Sequence, residues 1–230
     1  MLKNVLMLIN TAKPIIWQLN LIFWGVQSSL LHVKDYCIIF AIEKIKNVFL
    51  IMNVQEIIDR FYPEDNELKK IYMIHAEAVA GLALEMARKH PELGIDEPFV
   101  YEAAMLHDIG IFLTDAPRIH CFGKEAYLCH GYLGAELLRS LGYERHARVC
   151  ERHTGTGLTK EAIMENGWNL PAEDFLPETA EEKLICFADK FFSKTKFLNQ
   201  PRSFEQVVES MRKISENSAA KVQEWAGMFM

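Results

Sequence analysis

The chain has 230 residues, of which 50% are apolar and 24% charged; this suffices for one ordinary domain with a self-sustaining core and excludes a disordered or collagen-like chain. A net charge of −6 argues against a protein that coats nucleic acid, yet leaves room for a small anionic substrate, because a bound metal ion reverses the local field. Five cysteines without a C-x-x-C pair argue against a secreted disulfide framework, give no support to a zinc finger, and read as reduced thiols of a cytoplasmic protein.

Residues 1–51 differ from the rest. They carry a net charge of +3, so the remaining 52–230 carry −9. Between Lys13 and His32 lie 18 residues without a charge, the low end of what spans a bilayer. Gln18, Asn20, Gln27, Ser28 and Ser29 weaken insertion, and no small-residue cleavage site follows in the usual place. Three readings stay open for this apolar segment: a translated leader absent from the working protein, a membrane anchor, or a packed helix. From Met52 onward, Asn53-Val54-Gln55-Glu56-Ile57-Ile58-Asp59-Arg60 is a normal start for a soluble helical domain, and 52–230 is taken as the core domain.

That domain reads as all-α. Ile71, Ile74, Ala78, Leu82 and Met86 form a stripe at helical spacing and predict a helix over about 64–90, ended by Pro91 and Gly94. A second helix is expected over about 96–106, with Pro98 in its first turn. Others are expected near 131–141, 143–153, 159–166 and 178–194, with one or two more beyond 203. Gly142 and Gly167 read as residues that close helices. No alternating β-branched run supports a sheet.

Polar residues interrupt these apolar faces at five places. His75 lies on the first stripe. His107-Asp108 follows Ala103-Ala104-Met105-Leu106. His130 opens His130-Gly131-Tyr132-Leu133-Gly134-Ala135, His153 closes a helix before Thr154-Gly155, and Asp189 sits among Leu184, Ile185, Ala188 and Phe192. One histidine on an apolar face is ordinarily a satisfied core residue. Four histidines and two aspartates in such settings need a common sink for their polarity, since an uncompensated buried carboxylate is costly. A divalent transition-metal site supplies that sink, because imidazole and carboxylate both suit such ions. His90 and His146 lie in polar contexts and are expected on solvated faces; His120 lies in a loop that could line a pocket.

The order His75, His107-Asp108, His130, His153, Asp189 resembles the HD-domain phosphohydrolase superfamily, and Leu106-His107-Asp108-Ile109-Gly110 matches the HDIG form of its hallmark. The likeness covers about residues 60–195 and is closest to small stand-alone HDIG proteins; bacterial dinucleoside-tetraphosphate hydrolases of the superfamily are also similar. Ile111 stands where phosphodiesterases of the HD-GYP type carry a lysine, and no Gly-Tyr-Pro follows.

The resemblance implies an HD-domain helical bundle around a site for two divalent ions (Fe, Mn, Co, Ni or Zn). His75, His107, Asp108 and Asp189 would hold one ion, and Asp108 would bridge to a second held by His130 and His153. The implied activity is hydrolysis of a nucleotide or related phosphoester by a metal-activated water. Arg118, Lys124 and Arg152 are expected near the substrate phosphate. Lys190 is expected to act beside Asp108 in catalysis, and Glu102 and Glu136 to orient ligand histidines. Two other readings stay open: a non-catalytic nucleotide-binding sensor, and a membrane-tethered signalling phosphodiesterase if residues 1–51 form an anchor.

Overall fold

A computed structural model describes residues 52–196 and 198–230. The three readings of the apolar segment 1–51 lie outside the described residues. Met52–Met230 forms one unit.

Nine α-helices occur among the described residues. They are α1 (Val54–Phe61), α2 (Glu67–Lys89), α3 (Glu97–Leu106), α4 (His130–Ser140), α5 (Glu144–Arg152), α6 (Lys160–Asn166), α7 (Ala180–Asp189), α8 (Phe204–Arg212) and α9 (Glu216–Phe229). The starts follow from local chemistry. Asn53, Asn66, Asp96, Thr159, Thr179, Ser203 and Ser215 each accept a backbone N–H of the first turn that has no partner inside the helix. Thr179 and Glu182 complete a reciprocal capping box that starts α7.

The expected helices are present, with shifts at three points. The stripe expected to bury α2 is its shoulder: Ile71, Ile74, Ala78 and Leu82 are half-buried, and the fully buried line is Tyr72, His75, Ala76, Val79, Ala80, Ala83, Met86 and Ala87. Four of these are alanines, which let α3 and α7 pack against α2. Helix α7 stops at Asp189 instead of running on to 194. The loop after α3 contains a short antiparallel hairpin, β1 (Asp115–Ala116) with β2 (Cys121–Phe122), whose turn places His120 in the left-handed region at φ 59°.

The core is continuous. Helices α2, α3, α5 and α7 pack together, α4 lies on α5, and α8 and α9 close the side next to α7. No helix among the described residues is long and apolar enough to cross a membrane.

Close backbone approach at three glycines brings together the segments that carry candidate ligands. A Cβ on Gly110 would overlap the His130 carbonyl oxygen and the Gly134 nitrogen. One on Gly131 would lie 2.5 Å from the Cys150 carbonyl oxygen, and one on Gly134 2.5 Å from Cys150 Sγ. The turn after α3, the start of α4 and the last turn of α5 therefore touch backbone to backbone, and each of these three segments carries a histidine of the site.

Candidate metal centre

His107 and Asp108 follow the last residue of α3, where a helix leaves carbonyls without intrahelical donors. Buried side chains satisfy them. Tyr72 Oη donates to the Met105 carbonyl at 2.6 Å, Cys150 Sγ to the His107 carbonyl at 2.9 Å, and Tyr62 Oη to the Ile109 carbonyl at 3.0 Å. The Ile109 and Ile111 amides take the carbonyls of Leu106 and Asp108. The turn that holds His107 and Asp108 is thus fixed by both aromatic hydroxyls and a buried thiol, none of which the sequence reading singled out.

Three histidines share one local device. His107 Nδ1 lies 2.6 Å from the Ala104 carbonyl, His130 Nδ1 2.6 Å from that of Tyr127, and His153 Nδ1 2.6 Å from that of Cys150. Each ring bonds the carbonyl three residues back, at the end of a helical turn. A carbonyl can only accept, so Nδ1 carries the proton and, in the neutral ring, Nε2 presents its lone pair to the site. This corrects the expectation for Glu102 and Glu136. Glu102 instead bonds His146, and Glu136 pairs with Arg139 at the surface.

The four histidines converge on Asp108, which is fully buried. Its Oδ2 lies 3.1 Å from His75 Nε2 and 3.1 Å from His107 Nε2. Its Oδ1 lies 3.3 Å from His130 Nε2 and 3.5 Å from His153 Nε2. Asp189 Oδ1 completes the first side, 3.0 Å from His75 Nε2 and 3.5 Å from His107 Nε2. Two groups could each hold an ion: His75, His107, Asp108 and Asp189, and Asp108, His130 and His153.

The donor atoms fit such ions better than they fit one another. His75 Nε2, His107 Nε2 and both carboxylate oxygens of Asp108 are buried without a hydrogen-bond partner, and Lys194 meets Oδ2 only as an ion pair. His130 Nε2 and His153 Nε2 face each other at 3.0 Å although both rings already donate through Nδ1, so two lone pairs meet unless a cation or an extra proton lies between them. Buried polar atoms in native proteins are nearly always satisfied, and a cation shared by nitrogen and carboxylate oxygen satisfies all of these at once.

The electrostatics are uneven across the site. Burial opposes the charged form of His107, but Asp108 and Asp189 outweigh it and push the ring up to about 9. Burial takes His153 the other way, down to about 3. Burial also works against ionised Asp108 and Asp189, yet His107 and Lys194 hold the first, and Lys190 and His107 the second, well below the usual carboxylate range.

The basic residues expected near a phosphate are dispersed. Lys190 is buried, with Nζ 2.7 Å from Asp189 Oδ2 and 2.9 Å from the His153 carbonyl, so it braces one ligand carboxylate. Arg118 and Lys124 are exposed on the hairpin loop. Arg152 is committed elsewhere: it pairs with Glu178 at 2.8 Å and Glu182 at 3.6 Å and donates to the Leu176 carbonyl. Lys194, which the sequence reading passed over, has Nζ 2.6 Å from Asp108 Oδ2. A helix continued to 194 would turn that residue about 140° from Asp189 at ~100° per residue; the early end of α7 brings it back to the site. Tyr127 was also missed; its ring stacks on His130 at 4.7 Å between centroids.

His146 corrects another expectation. It is not solvated: its side chain is 11% exposed, bonds Glu102 at 3.2 Å and packs edge-on against Phe99. Burial and the neighbouring Arg145 push it down to about 4. A histidine kept neutral in the fold is protonated first in the unfolded chain, so its contribution to stability is lost as pH falls from about 6.5 to about 4. His146→Phe is expected to flatten the acid side of the melting-temperature profile in that window without changing metal content; an unchanged profile would place the acid lability elsewhere. His90, also expected on a solvated face, is partly buried and lies 3.0 Å from Glu92. His120 is exposed.

A family model for the HD domain matches residues 72–193, a stretch that runs from within α2 through the turn after α7 and takes in all six candidate ligands. The chain belongs to the HD-domain family. Its sequence is 41% identical over 125 residues to an uncharacterized protein of Methanocaldococcus jannaschii, covering 53% of this chain and 66% of the relative. It is 36% identical over 126 residues to a tRNA (cytidine(56)-2'-O)-methyltransferase of Picrophilus torridus, covering 54% of this chain and 32% of that protein. A protein of the same name from Thermoplasma volcanium is 31% identical over 185 residues, covering 80% of this chain and 48% of the relative. The chain thus spans from a third to two-thirds of the length of these relatives. No solved structure matches it.

Proposed function

We propose that this HD-domain chain is a metal-dependent phosphohydrolase that acts on a small phosphorylated substrate, a nucleotide or related phosphoester. The observation that carries the reading is the single buried carboxylate of Asp108, shared by two groups of donors with one oxygen turned to each. Two divalent ions held there would polarise a phosphoryl oxygen and ionise a water at neutral pH. The chain's own residues would do the positioning. His107, His130 and His153 are locked by backbone carbonyls with Nε2 inward. Lys190 braces Asp189. Arg118 and Lys124, exposed on the hairpin loop, are proposed phosphate contacts, since guanidinium and ammonium groups suit phosphate oxygens.

Methyl transfer, which the names of two relatives describe, is not the reading proposed. This chain spans less than half of either protein, and a buried His/Asp cluster offers ion ligands in place of a methyl-donor pocket. The test is metal content by elemental analysis, followed by a panel of phosphomonoesters, dinucleoside polyphosphates, cyclic nucleotides and tRNA with Mn²⁺, Fe²⁺ or Co²⁺. Metal-dependent release of phosphate or nucleotide supports the proposal. Tight nucleotide binding without turnover points to a sensor, and a chain that holds no metal after reconstitution removes the proposal.

His130→Ala and His153→Ala should each lose mainly the ion bound between Asp108 and these rings, leaving about one ion per chain and weak activity, because the other group keeps all four of its donors. Equal loss of both ions in these variants would show that the two groups do not bind separately. A chain that starts at Met52 is expected to fold and to take up metal as the full chain does, since all six donors lie in Met52–Met230. Circular dichroism and metal analysis check this; an unfolded product would make residues 1–51 part of the core.

A further inference from the structure

Two lysines follow α7, and they are held differently. Lys190 Nζ is anchored by one carboxylate oxygen and one backbone carbonyl, and its own backbone carbonyl accepts from Arg202. Lys194 lies in the irregular stretch after the helix. Its side chain is 10% exposed, and its ammonium meets Asp108 Oδ2 at 2.6 Å. It also lies over the face of Tyr127, 5.9 Å to the centroid, and is close enough to Asp189 to interact with its charge. The Tyr127 ring in turn stacks on His130, so lysine, tyrosine and a candidate ligand form one packed column.

The oxygen that Lys194 occupies is the one that His75 and His107 share with Asp108. An ion in the group formed by these residues and Asp189 needs the same lone pairs. A divalent ion so close to an ammonium is also opposed by like charge. Without an ion, however, ionised Asp108 is a fully buried carboxylate, and a buried charge persists only when paired.

Resting on the reading of the cluster as an ion site, we propose that Lys194 is an internal counter-cation for Asp108. It keeps the site assembled when no metal is bound, and it yields Oδ2 when an ion is seated. The lysine sets a threshold for metal uptake: the chain stays folded without an ion at the expense of affinity for it. Position favours this role for Lys194 over Lys190, because the irregular segment can shift its ammonium without unwinding a helix, whereas Lys190 is tied to the last turn of α7 and to the His153 backbone.

The test compares the full chain with its Lys194→Met and Lys194→Gln variants, using calorimetric Mn²⁺ titration and melting temperature in EDTA and in saturating Mn²⁺. Both variants are expected to melt at least about 5 °C below wild type in EDTA, because Asp108 loses its nearest cation and keeps only the imidazoles beside it. In saturating Mn²⁺ they should melt within about 2 °C of wild type. Both should take up the first Mn²⁺ at least about tenfold more tightly. A melting deficit of equal size with and without Mn²⁺ would make Lys194 a packing residue and overturn the proposal. So would Mn²⁺ affinity that is unchanged or weaker, no deficit in EDTA, or failure of both variants to fold with Mn²⁺ present. A wild-type chain that takes up no Mn²⁺ sinks the ion-site reading and this proposal with it, whereas normal wild-type uptake with indistinguishable variants sinks the proposal alone.

Discussion

Asp108→Ala is expected to empty both candidate ion positions at once and to abolish hydrolysis. Asp108 is the one residue common to both donor groups, and each of its oxygens faces a different pair of imidazoles. Removing it leaves three donors on one side and two imidazoles on the other, and takes from both the carboxylate they share. It also strands the Lys194 ammonium, which is paired with Asp108 Oδ2 at 2.6 Å, so the metal-free chain should lose stability, by about 3–5 kcal/mol if the charge stays buried. Asp108→Asn separates shape from charge. It preserves the outline of the side chain, removes the one negative charge that both donor groups share, and should lower turnover at least ~10²-fold, because a neutral amide would hold divalent ions more weakly than a carboxylate does. Elemental analysis, turnover and melting temperature of the two variants suffice. If the six residues were ordinary core polar groups, stability would fall with no selective loss of metal. If Asp108→Ala kept both ions and full turnover, the assignment of the site would be wrong.

Gly110→Ala is expected to lower stability sharply and to weaken metal binding along with it. The added carbon would overlap the His130 carbonyl oxygen and the Gly134 nitrogen. Both are backbone atoms and cannot rotate away. Overpacking usually costs about 1–3 kcal/mol and more where the backbone must move; for a domain of this size about 3 kcal/mol lowers the melting temperature by about 6–12 °C. The same shift would separate His107-Asp108 from His130, so affinity for the ion between Asp108, His130 and His153 should fall along with stability. Gly81→Ala is the control, since a Cβ there meets nothing within 4 Å and alanine is favoured over glycine inside a helix; it should leave stability equal or slightly raised. A Gly110→Ala chain that melts with wild type would show that the turn after α3 can relax away from α4, against the close contact described above.

The role of Gly110 shows where sequence and structure divide the information. The HDIG tetrapeptide was legible as a motif from its order and context alone. Its glycine is needed because α4 crosses the turn at backbone contact, and that is a property of how two distant segments pack. Nothing local to Ile109-Gly110-Ile111 expresses it.

The helical class and the order of the elements were determined by the sequence: apolar residues at helical spacing, Asn, Asp, Ser or Thr at helix starts and glycine after helix ends are local signals that each act within a few residues. The set of six candidate ligands was also determined there, because histidine and aspartate on apolar faces are costly unless something pairs them. The tertiary structure decided how those six meet. That Asp108 turns one oxygen to each pair of histidines follows from the way α3, α5 and the turn before α4 end beside one another and beside α2; the carbonyls three residues back that orient the rings, where Glu102 and Glu136 were expected to, are a local device. Lys194 entered the site because α7 stops at Asp189, and His146 was buried because Phe99 and Glu102, from another helix, cover it. Arg152 left the expected phosphate site for Glu178 and Glu182. For His146 and Arg152 the deciding partners lie on other, distant segments, and for Lys194 the deciding event is a helix end; the periodicity of a single segment registers neither.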